Sequence, residues 1–176
     1  MEDDVQLLPY DPAWPGMFAQ EAALLRQALP AGLVIGIEHF GSTAVPGLVA
    51  KPIIDILIAV ASLPRAREEA VAPVCGLGYL YWEDNPKRDR MFFVKGMPPH
   101  GARRTHHVHL TEAGGEMWRR RLALRDHLRT HPDEARRYAA VKRELAVRYP
   151  TDREAYTDAK SVYLEPLYRR IGVGDA

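Results

Sequence analysis

The sequence predicts an α+β domain, in which a mixed β-sheet is followed by a group of helices. The predicted elements run helix, strands, helix, strands and then helices, without the regular alternation of a doubly wound α/β fold. After Gly115 the apolar residues recur at helical spacing. No long linker precedes this helical part, so we assign 1–176 to one domain, with a sheet core at 1–113 and packed C-terminal helices at 114–176.

The elements of the sheet core follow from local signals. Asp11 and Pro12 predict the start of the first helix, since Asp caps helices and Pro suits their first turn. The aliphatic run at Ile53–Val60 is typical of a central strand covered on both faces. The predicted elements are a short strand at Val5–Leu8, a helix at Trp14–Leu29, strands at Leu33–Phe40 and Ile53–Val60, a helix at Pro64–Cys75, and strands at Tyr79–Glu83, Met91–Lys95 and Thr105–Thr111.

Three helices are predicted in the C-terminal part. They cover Glu116–Arg129, Pro132–Arg148 and Asp152–Leu164. Pro132 suits a first helical turn. Pro166 is expected to kink or end the last helix, because proline lacks a backbone N–H.

The composition excludes several classes of protein. Of the 176 residues 47% are hydrophobic, and 24 basic and 23 acidic residues leave a net charge of +1, so we do not expect a nucleic-acid partner. One cysteine, Cys75, excludes an intramolecular disulfide. The longest apolar run, Pro52–Ala61, is too short to span a bilayer, and the acidic N-terminus lacks a signal pattern. We expect a cytoplasmic protein without a membrane partner, of undetermined oligomeric state.

Asp55 is a carboxylate inside an aliphatic strand. It shares one face of that strand with Leu57, while Ile54 and Ile56 lie on the other. A buried carboxylate is costly unless it is paired or binds a metal. A salt bridge to an arginine, a cap on a loop amide and a metal site all remain open.

A Gly41-Ser42-Thr43 turn precedes this strand. Backbone N–H groups and hydroxyls at such a turn can hold a phosphate, although an isolated Gly-Ser pair is also typical of an ordinary turn. Lys51 and Asp55 follow closely in the sequence. A cation and a metal-binding carboxylate beside a phosphate site are what nucleotide chemistry requires.

The strand "THHVHLTE" places His107 and His109 on one face. Two histidines at positions i and i+2 can share a metal or contact a phosphate, and a solvated polar face is the alternative. Asp55 can join them only if the two strands are neighbours.

Each C-terminal helix carries a cation within or beside its apolar stripe. These residues are Arg125, Lys142 and Lys160. A single case is usually a long side chain that reaches water, whereas three together indicate a shared anion. Tyr138 and Tyr156 each precede one of the lysines by four residues, which places each phenol next to an ammonium group.

These residues carry a resemblance to a known family. The stretch "EHFGSTAVPGLVAKPIIDILIAV" resembles the signature of the GrpB family, a family of small bacterial proteins once catalogued as uncharacterised. The resemblance continues through "HVHL", Trp118, "LRDHLR" and the two Tyr/Lys pairs, and it covers about Val5 to Tyr168.

The resemblance implies a nucleotidyltransferase-type mixed sheet, like that of polymerase beta. In that superfamily a Gly-Ser pair contacts nucleotide phosphates, and carboxylates in an Asp-x-Asp or Asp-x-Glu pattern, with a third on a later strand, hold two metals. Gly41 and Ser42 match the pair and Asp55 matches the first carboxylate, but Leu57 stands where the second is expected. His107 and His109 stand on the strand expected to supply the third.

Two hypotheses follow from the resemblance. In the first, the protein binds a nucleoside triphosphate with Mg²⁺ or Mn²⁺ and transfers a nucleotidyl or phosphoryl group to an unknown acceptor. Asp55, His107 and His109 are then the catalytic and metal-binding residues. The phosphate-binding residues are Gly41, Ser42, Thr43, Lys51, Arg125, Lys142 and Lys160. In the second, the protein is a non-catalytic nucleotide-binding module that regulates or assists another enzyme, for example in coenzyme A biosynthesis, because similar domains occur fused to dephospho-coenzyme A kinase.

Overall fold

The computed structural model describes residues 4–173 and confirms an α+β fold. The first and last three residues of the chain lie outside the described residues. The helices are α1 (Trp14–Ala28), α2 (Leu63–Glu69), α3 (Val71–Gly76), α4 (Glu116–Thr130), α5 (Pro132–Arg148) and α6 (Arg153–Arg170). The strands are β1 (Val34–Phe40), β2 (Ile54–Val60), β3 (Tyr79–Tyr81), β4 (Arg90–Lys95) and β5 (His106–Glu112), and a 3₁₀ turn covers Ser42–Ala44.

The five strands form one mixed sheet in the order β1-β2-β5-β4-β3. Strand β2 pairs antiparallel with β1 and parallel with β5, and the remaining pairs are antiparallel. The parallel pair therefore lies at the centre of the sheet, with Asp55 opposite His107.

One face of the sheet forms the main core. Helices α1, α2 and α3 cover it, and Leu25, Leu63 and Val74 pack against Ile54 and Ile56 of β2. All five side chains are buried, as the continuous aliphatic character of β2 predicts.

The opposite face is covered by the C-terminal helices. Met117 of α4 packs on Phe40 and Leu57 of the sheet. Leu124 and Leu164 belong to a separate apolar cluster among α4, α5 and α6, which also includes part of the loop between β1 and β2. The polar residues of β2 and β5 thus lie between the sheet and the three helices.

Several predicted elements differ in detail. Val5–Leu8 is not a strand, because Leu8 makes one isolated bridge to Ala50. The helix predicted at Pro64–Cys75 is divided into α2 and α3 at Ala70. Helix α6 continues through Pro166 to Arg170. Pro166 is exposed, so the backbone hydrogen bond that it cannot donate is missing on the side of the helix that faces solvent. Leu167 and Tyr168 are buried, and their packing stabilises the last turns.

Within residues 4–173, the helices include none with both the length and the apolar character needed to cross a bilayer.

Candidate functional site

The centre of the site is a hydrogen bond between Asp55 and His107. The two residues are opposite each other in the parallel pair of β2 and β5, and Nδ1 of His107 lies 3.0 Å from Oδ1 of Asp55. Burial opposes the charged form of Asp55, but the hydrogen bond from His107, together with nearby basic groups that include Lys160, outweighs it and lowers the pKa of the carboxyl group. Asp55 is therefore ionised at neutral pH and accepts a hydrogen bond. His107 on the neighbouring strand is the partner of this carboxylate.

The two strand histidines each keep a buried nitrogen without a hydrogen-bond partner among the described residues. These atoms are Nε2 of His107 and Nδ1 of His109. Burial lowers the pKa of both imidazoles, and Phe92 stacks on His109 with ring centroids 4.5 Å apart. With Nδ1–H of His107 donating to Asp55, its Nε2 carries a lone pair that can accept a hydrogen bond or bind a metal.

Gly41 is required next to Asp55. Its φ is +73°, and a Cβ placed on it would lie 3.2 Å from both Cβ and Cγ of Asp55 and closer still to Oδ2. A side chain would thus be strained by the backbone and would also overlap the carboxylate. The glycine of the predicted phosphate turn is explained by this close approach.

The hydroxyl groups of the turn point in different directions. Thr43 is buried, and its Oγ1 bonds Nε2 of His39 at 2.9 Å and the Ile53 carbonyl at 3.4 Å. Ser42 lines the cavity, and its Oγ lies 2.9 Å from Nζ of Lys142. Ser42 is therefore the residue of the turn whose hydroxyl adjoins a lysine of the cavity, whereas the hydroxyl of Thr43 is used within the fold.

Three lysines from different elements meet two tyrosines. Nζ of Lys142 lies 4.7 Å from the ring centroid of Tyr138, and Nζ of Lys160 lies 5.3 Å from that of Tyr156, as the helical spacing predicts. Nζ of Lys51 lies 5.0 Å from the same Tyr156 ring. The structure thus brings together a lysine of the β1–β2 connection and lysines of α5 and α6.

Burial depresses the pKa of all three lysines. It lowers the pKa of Lys51 to about 7, of Lys142 to about 6 and of Lys160 to about 8, and the charge of Lys160 contributes for the other two. An ammonium group removed from water without a carboxylate partner favours its neutral form. A bound anion would favour the charged forms of Lys51 and Lys160, which lie beside the Tyr156 ring.

Arg125 lines the cavity and also makes contacts within the fold, and phosphate binding by its side chain stays a prediction. Its Nη1 donates to Oε2 of Glu38 at 2.7 Å and to the His39 carbonyl at 2.9 Å, and its Nε donates to Asp126 at 2.7 Å. Arg125 therefore fastens α4 to the end of β1 at the edge of the cavity.

A cavity of about 670 Å³ contains these groups. Its size is typical of a small-molecule site. Among the described residues that line it are nine cationic side chains and three carboxylates. The cations are Lys51, Lys87, Arg90, Arg104, Arg121, Arg125, Lys142, Arg153 and Lys160, and the carboxylates are Asp55, Glu154 and Asp158.

Sequence reasoning missed part of the lining. Arg153 lines the cavity from the first turn of α6, and no spacing pattern distinguishes it from an exposed helix-terminal arginine. His39 supports the site from behind, stacked on Phe18 with ring centroids 4.8 Å apart. Burial lowers the pKa of His39 to about 4, so it is neutral. The alternation of β1 could have indicated that His39 faces the core.

The donor set does not form a preorganised metal site. No group of three or more His, Cys, Asp or Glu side chains within residues 4–173 is arranged to hold a metal ion. Oδ1 of Asp55 already accepts a hydrogen bond from His107, and Leu57 is fully buried against Phe40 and Met117. Metal binding by Asp55, His107 and His109 stays a prediction.

Comparisons with known proteins agree with the sequence resemblance. The family described as GrpB protein matches residues 4–170. A solved structure described as conserved protein GrpB from Enterococcus faecalis superposes with a TM-score of 0.83 at 32% identity, and the match covers 94% of this chain and 96% of that one.

Two curated relatives are longer than this chain. A UPF0157 protein of Pseudomonas aeruginosa is 57% identical over 162 residues, which are 90% of this chain and 64% of that protein. A protein named dephospho-CoA kinase from Mycolicibacterium paratuberculosis is 33% identical over 187 residues, which are 94% of this chain and 46% of that protein. The chain thus spans less than two thirds of either relative.

Proposed function

This chain belongs to the GrpB family, and we propose that its cavity binds a nucleoside triphosphate through the phosphate groups. The observation that carries the proposal is the excess of cations over carboxylates in a cavity of about 670 Å³. Such an excess is costly when the cavity contains water alone and becomes favourable when a polyanion enters.

Lys51 and Lys160 are the best-placed donors for phosphate oxygens. Within residues 4–173 their amino groups contact the ring of Tyr156 but make no hydrogen bond and no ion pair. In its charged form each has three N–H donors. We expect these donors to bind phosphate oxygens, together with Ser42 and the depressed-pKa amine of Lys142.

Two aromatic side chains in the lining favour a nucleoside over inorganic phosphate. Trp82 and Phe92 both line the cavity, and their rings are stacked with centroids 5.8 Å apart. Trp82 is 45% exposed, with the guanidinium carbon of Arg104 5.4 Å from its ring centroid, so part of its ring is open to a ligand next to a cation. Aromatic surfaces of this kind bind nucleobases with little sequence preference.

Group transfer and nucleotide binding without transfer are the two activities to compare. Transfer of a nucleotidyl or phosphoryl group requires bridging carboxylates around metals in the superfamily that the sequence resembles, and Leu57 occupies one of those positions. Nucleotide binding is therefore better supported than a two-metal transfer to a separate acceptor. The relative named dephospho-CoA kinase favours a module that serves an associated enzyme. Mg²⁺ or Mn²⁺ would in this case arrive with the nucleotide.

The test is a calorimetric titration with ATP, GTP and inorganic triphosphate, with Mg²⁺ and with a chelator. We expect binding of nucleoside triphosphates, and an affinity loss of at least tenfold in Lys160→Met. Arg169→Met is the matched control, because Arg169 is an exposed cation of the same helix outside the cavity. If no triphosphate binds to the unmodified protein, the proposal is wrong. Pyrophosphate and phosphate release measured in parallel distinguish transfer from binding.

A further inference from the structure

Ser42 and Lys142 form a pair that phosphate binding alone does not require. Lys142 is 1% exposed, and its Nζ lies 2.9 Å from Oγ of Ser42. The same Nζ hydrogen-bonds the carbonyl oxygen of Val49. A permanently charged ammonium group at this depth would need a carboxylate, and the two oxygens around it are neutral.

The surroundings of Lys142 favour the neutral amine. The charged groups that act on it are Lys160 of α6 and Arg143 of its own helix, and both are cations that oppose its protonation. The neighbouring Tyr138 ring presents a phenol whose pKa burial raises, so it stays neutral as well. A neutral lysine has two N–H donors and one lone pair.

The neighbours of Lys142 match the donors and the lone pair of a neutral amine. One N–H of Lys142 is donated to the Val49 carbonyl, which orients the amine. Nζ donates to Oγ of Ser42 at 2.9 Å when the lysine is charged, and in the neutral amine the lone pair can take the hydroxyl proton across the same distance. A nucleophile, an adjacent base and a third group that orients the base are the elements of nucleophilic catalysis, and serine–lysine pairs are one of its known forms.

Ser42 is also placed to meet an electrophile. It lines the cavity and is partly exposed, whereas the neighbouring Thr43, which also lines the cavity, is buried and has its hydroxyl bonded to His39. Lys51 and Lys160 line the same cavity and would neutralise the oxygens of an attacked phosphoryl group.

We propose that Ser42 is a nucleophile that accepts the terminal phosphoryl group of the bound nucleoside triphosphate, with Lys142 as its general base. A bond forms between Oγ of Ser42 and the terminal phosphorus, and the bond from that phosphorus to the bridging oxygen breaks. The nucleoside diphosphate leaves with the electron pair, and the hydroxyl proton moves to Nζ of Lys142. The product is a phosphoserine, and this step rests on the proposed function for its donor.

A probe that does not depend on nucleotide binding tests the nucleophile. A fluorophosphonate reacts with activated serines, and peptide mass spectrometry identifies the labelled residue among Ser42, Ser62 and Ser161. We expect labelling of Ser42 alone and its loss in Ser42→Ala. Ser161→Ala is the matched control, because Ser161 is exposed on α6 and its hydroxyl bonds the Thr157 carbonyl. Absence of labelling in the unmodified protein overturns the proposal.

The role of Lys142 has two independent readouts. In Lys142→Met the labelling rate should fall by about 100-fold, the usual contribution of a general base. If this variant does not fold, the pH dependence of the labelling rate in the unmodified protein tests the role of Lys142 instead. The rate should rise and level off near the pKa of Lys142, about 6. A rate that continues to rise without levelling, as for an unassisted hydroxyl, overturns the base assignment.

Incubation with ATP and Mg²⁺ tests the phosphoryl acceptor. We expect phosphoserine at Ser42, detected by intact mass and by peptide mapping. If ATP binds without probe labelling or phosphoserine, the nucleophile is wrong and the proposed function stands. If the probe labels Ser42 but no nucleotide binds, the proposed function is wrong, and the nucleoside triphosphate is excluded as donor. If both binding and labelling occur without phosphoserine, transfer to Ser42 is overturned.

Discussion

The carboxylate of Asp55 occupies the space that a side chain on Gly41 would need. Residue 41 has φ of +73° and ψ of −169°, a conformation that is essentially restricted to glycine. The same residue closes the 3₁₀ turn, because its carbonyl accepts a hydrogen bond from Ala44 at 3.2 Å. The position of Asp55 and the course of the Ser42–Ala44 turn are therefore coupled through one glycine.

Gly41→Ala should destabilise the protein more than Gly32→Ala does. Both glycines have φ of +73°, but a Cβ on Gly32 meets nothing within 4 Å, so that variant carries the backbone cost alone. This cost is about 1–3 kcal/mol, and the overlap with Asp55 adds to it in Gly41→Ala. Urea unfolding of the two variants measures the difference. Equal losses would show that the contact with Asp55 is unimportant.

Triphosphate binding should be coupled to proton uptake. The free protein has Lys51 and Lys160 with pKa values of about 7 and about 8, and a bound polyanion favours their charged forms. Below about pH 6 both are already protonated, so few protons are taken up on binding, whereas at about pH 8 about one to two protons must be acquired. Affinity should therefore fall as pH rises through this range.

Calorimetry in two buffers of different ionisation enthalpy measures this proton uptake directly. A Lys160→Met protein should take up fewer protons at about pH 8 than Arg169→Met does. Uptake that is independent of pH in the unmodified protein would contradict the coupling.

Binding of inorganic triphosphate should persist in a chelator, because the charges that neutralise it belong to side chains. Asp55→Asn should strengthen this metal-free binding, because it removes a negative charge that lies near Lys160 and would repel the anion. Titration at about pH 6.5, where Lys160 is charged in both proteins, makes the comparison. If the chelator abolishes binding, and Mn²⁺ restores it in the unmodified protein but not in Asp55→Asn, the metal is held by Asp55.

Arg125→Met should reduce stability. The substitution leaves the Glu38 carboxylate and the His39 carbonyl without the donor that both share, at a side chain that is 10% exposed. We expect a loss of about 1–3 kcal/mol, typical of an unsatisfied partly buried acceptor. Arg119→Met, at an exposed position of the same helix, should change the free energy of unfolding by less than about 0.5 kcal/mol. Chemical denaturation measures both, and similar values would refute the anchoring role.

Local sequence patterns predicted the elements and their faces well where one periodicity was strong. The aliphatic alternation around Asp55 placed it on the face opposite Ile54, and Ile54 indeed packs in the main core. The Tyr138/Lys142 and Tyr156/Lys160 spacings predicted contacts that the structure contains. These features depend on residues within about one helical turn or one strand.

Predictions were weaker where the outcome depends on distant residues. The stripe of α4 did not indicate that Arg125 contacts Glu38, because the two residues are 87 positions apart in the sequence. The hydroxyls of Ser42 and Thr43 are adjacent in the sequence, and packing against His39 sends Thr43 inward. Nothing local distinguishes the two residues.

The sequence by itself determined the α+β class and the elements that carry the site: the strand of Asp55, the strand of His107 and the helices of the lysines. It could do so because hydrophobic periodicity is a local property of the chain. Only the tertiary structure decided that β2 and β5 are parallel neighbours, that Asp55 meets His107, and that Lys142 meets Ser42. The last two contacts join residues 52 and 100 positions apart. Their formation depends on how the sheet orders its strands and how the helices pack on it, which residue spacing does not encode.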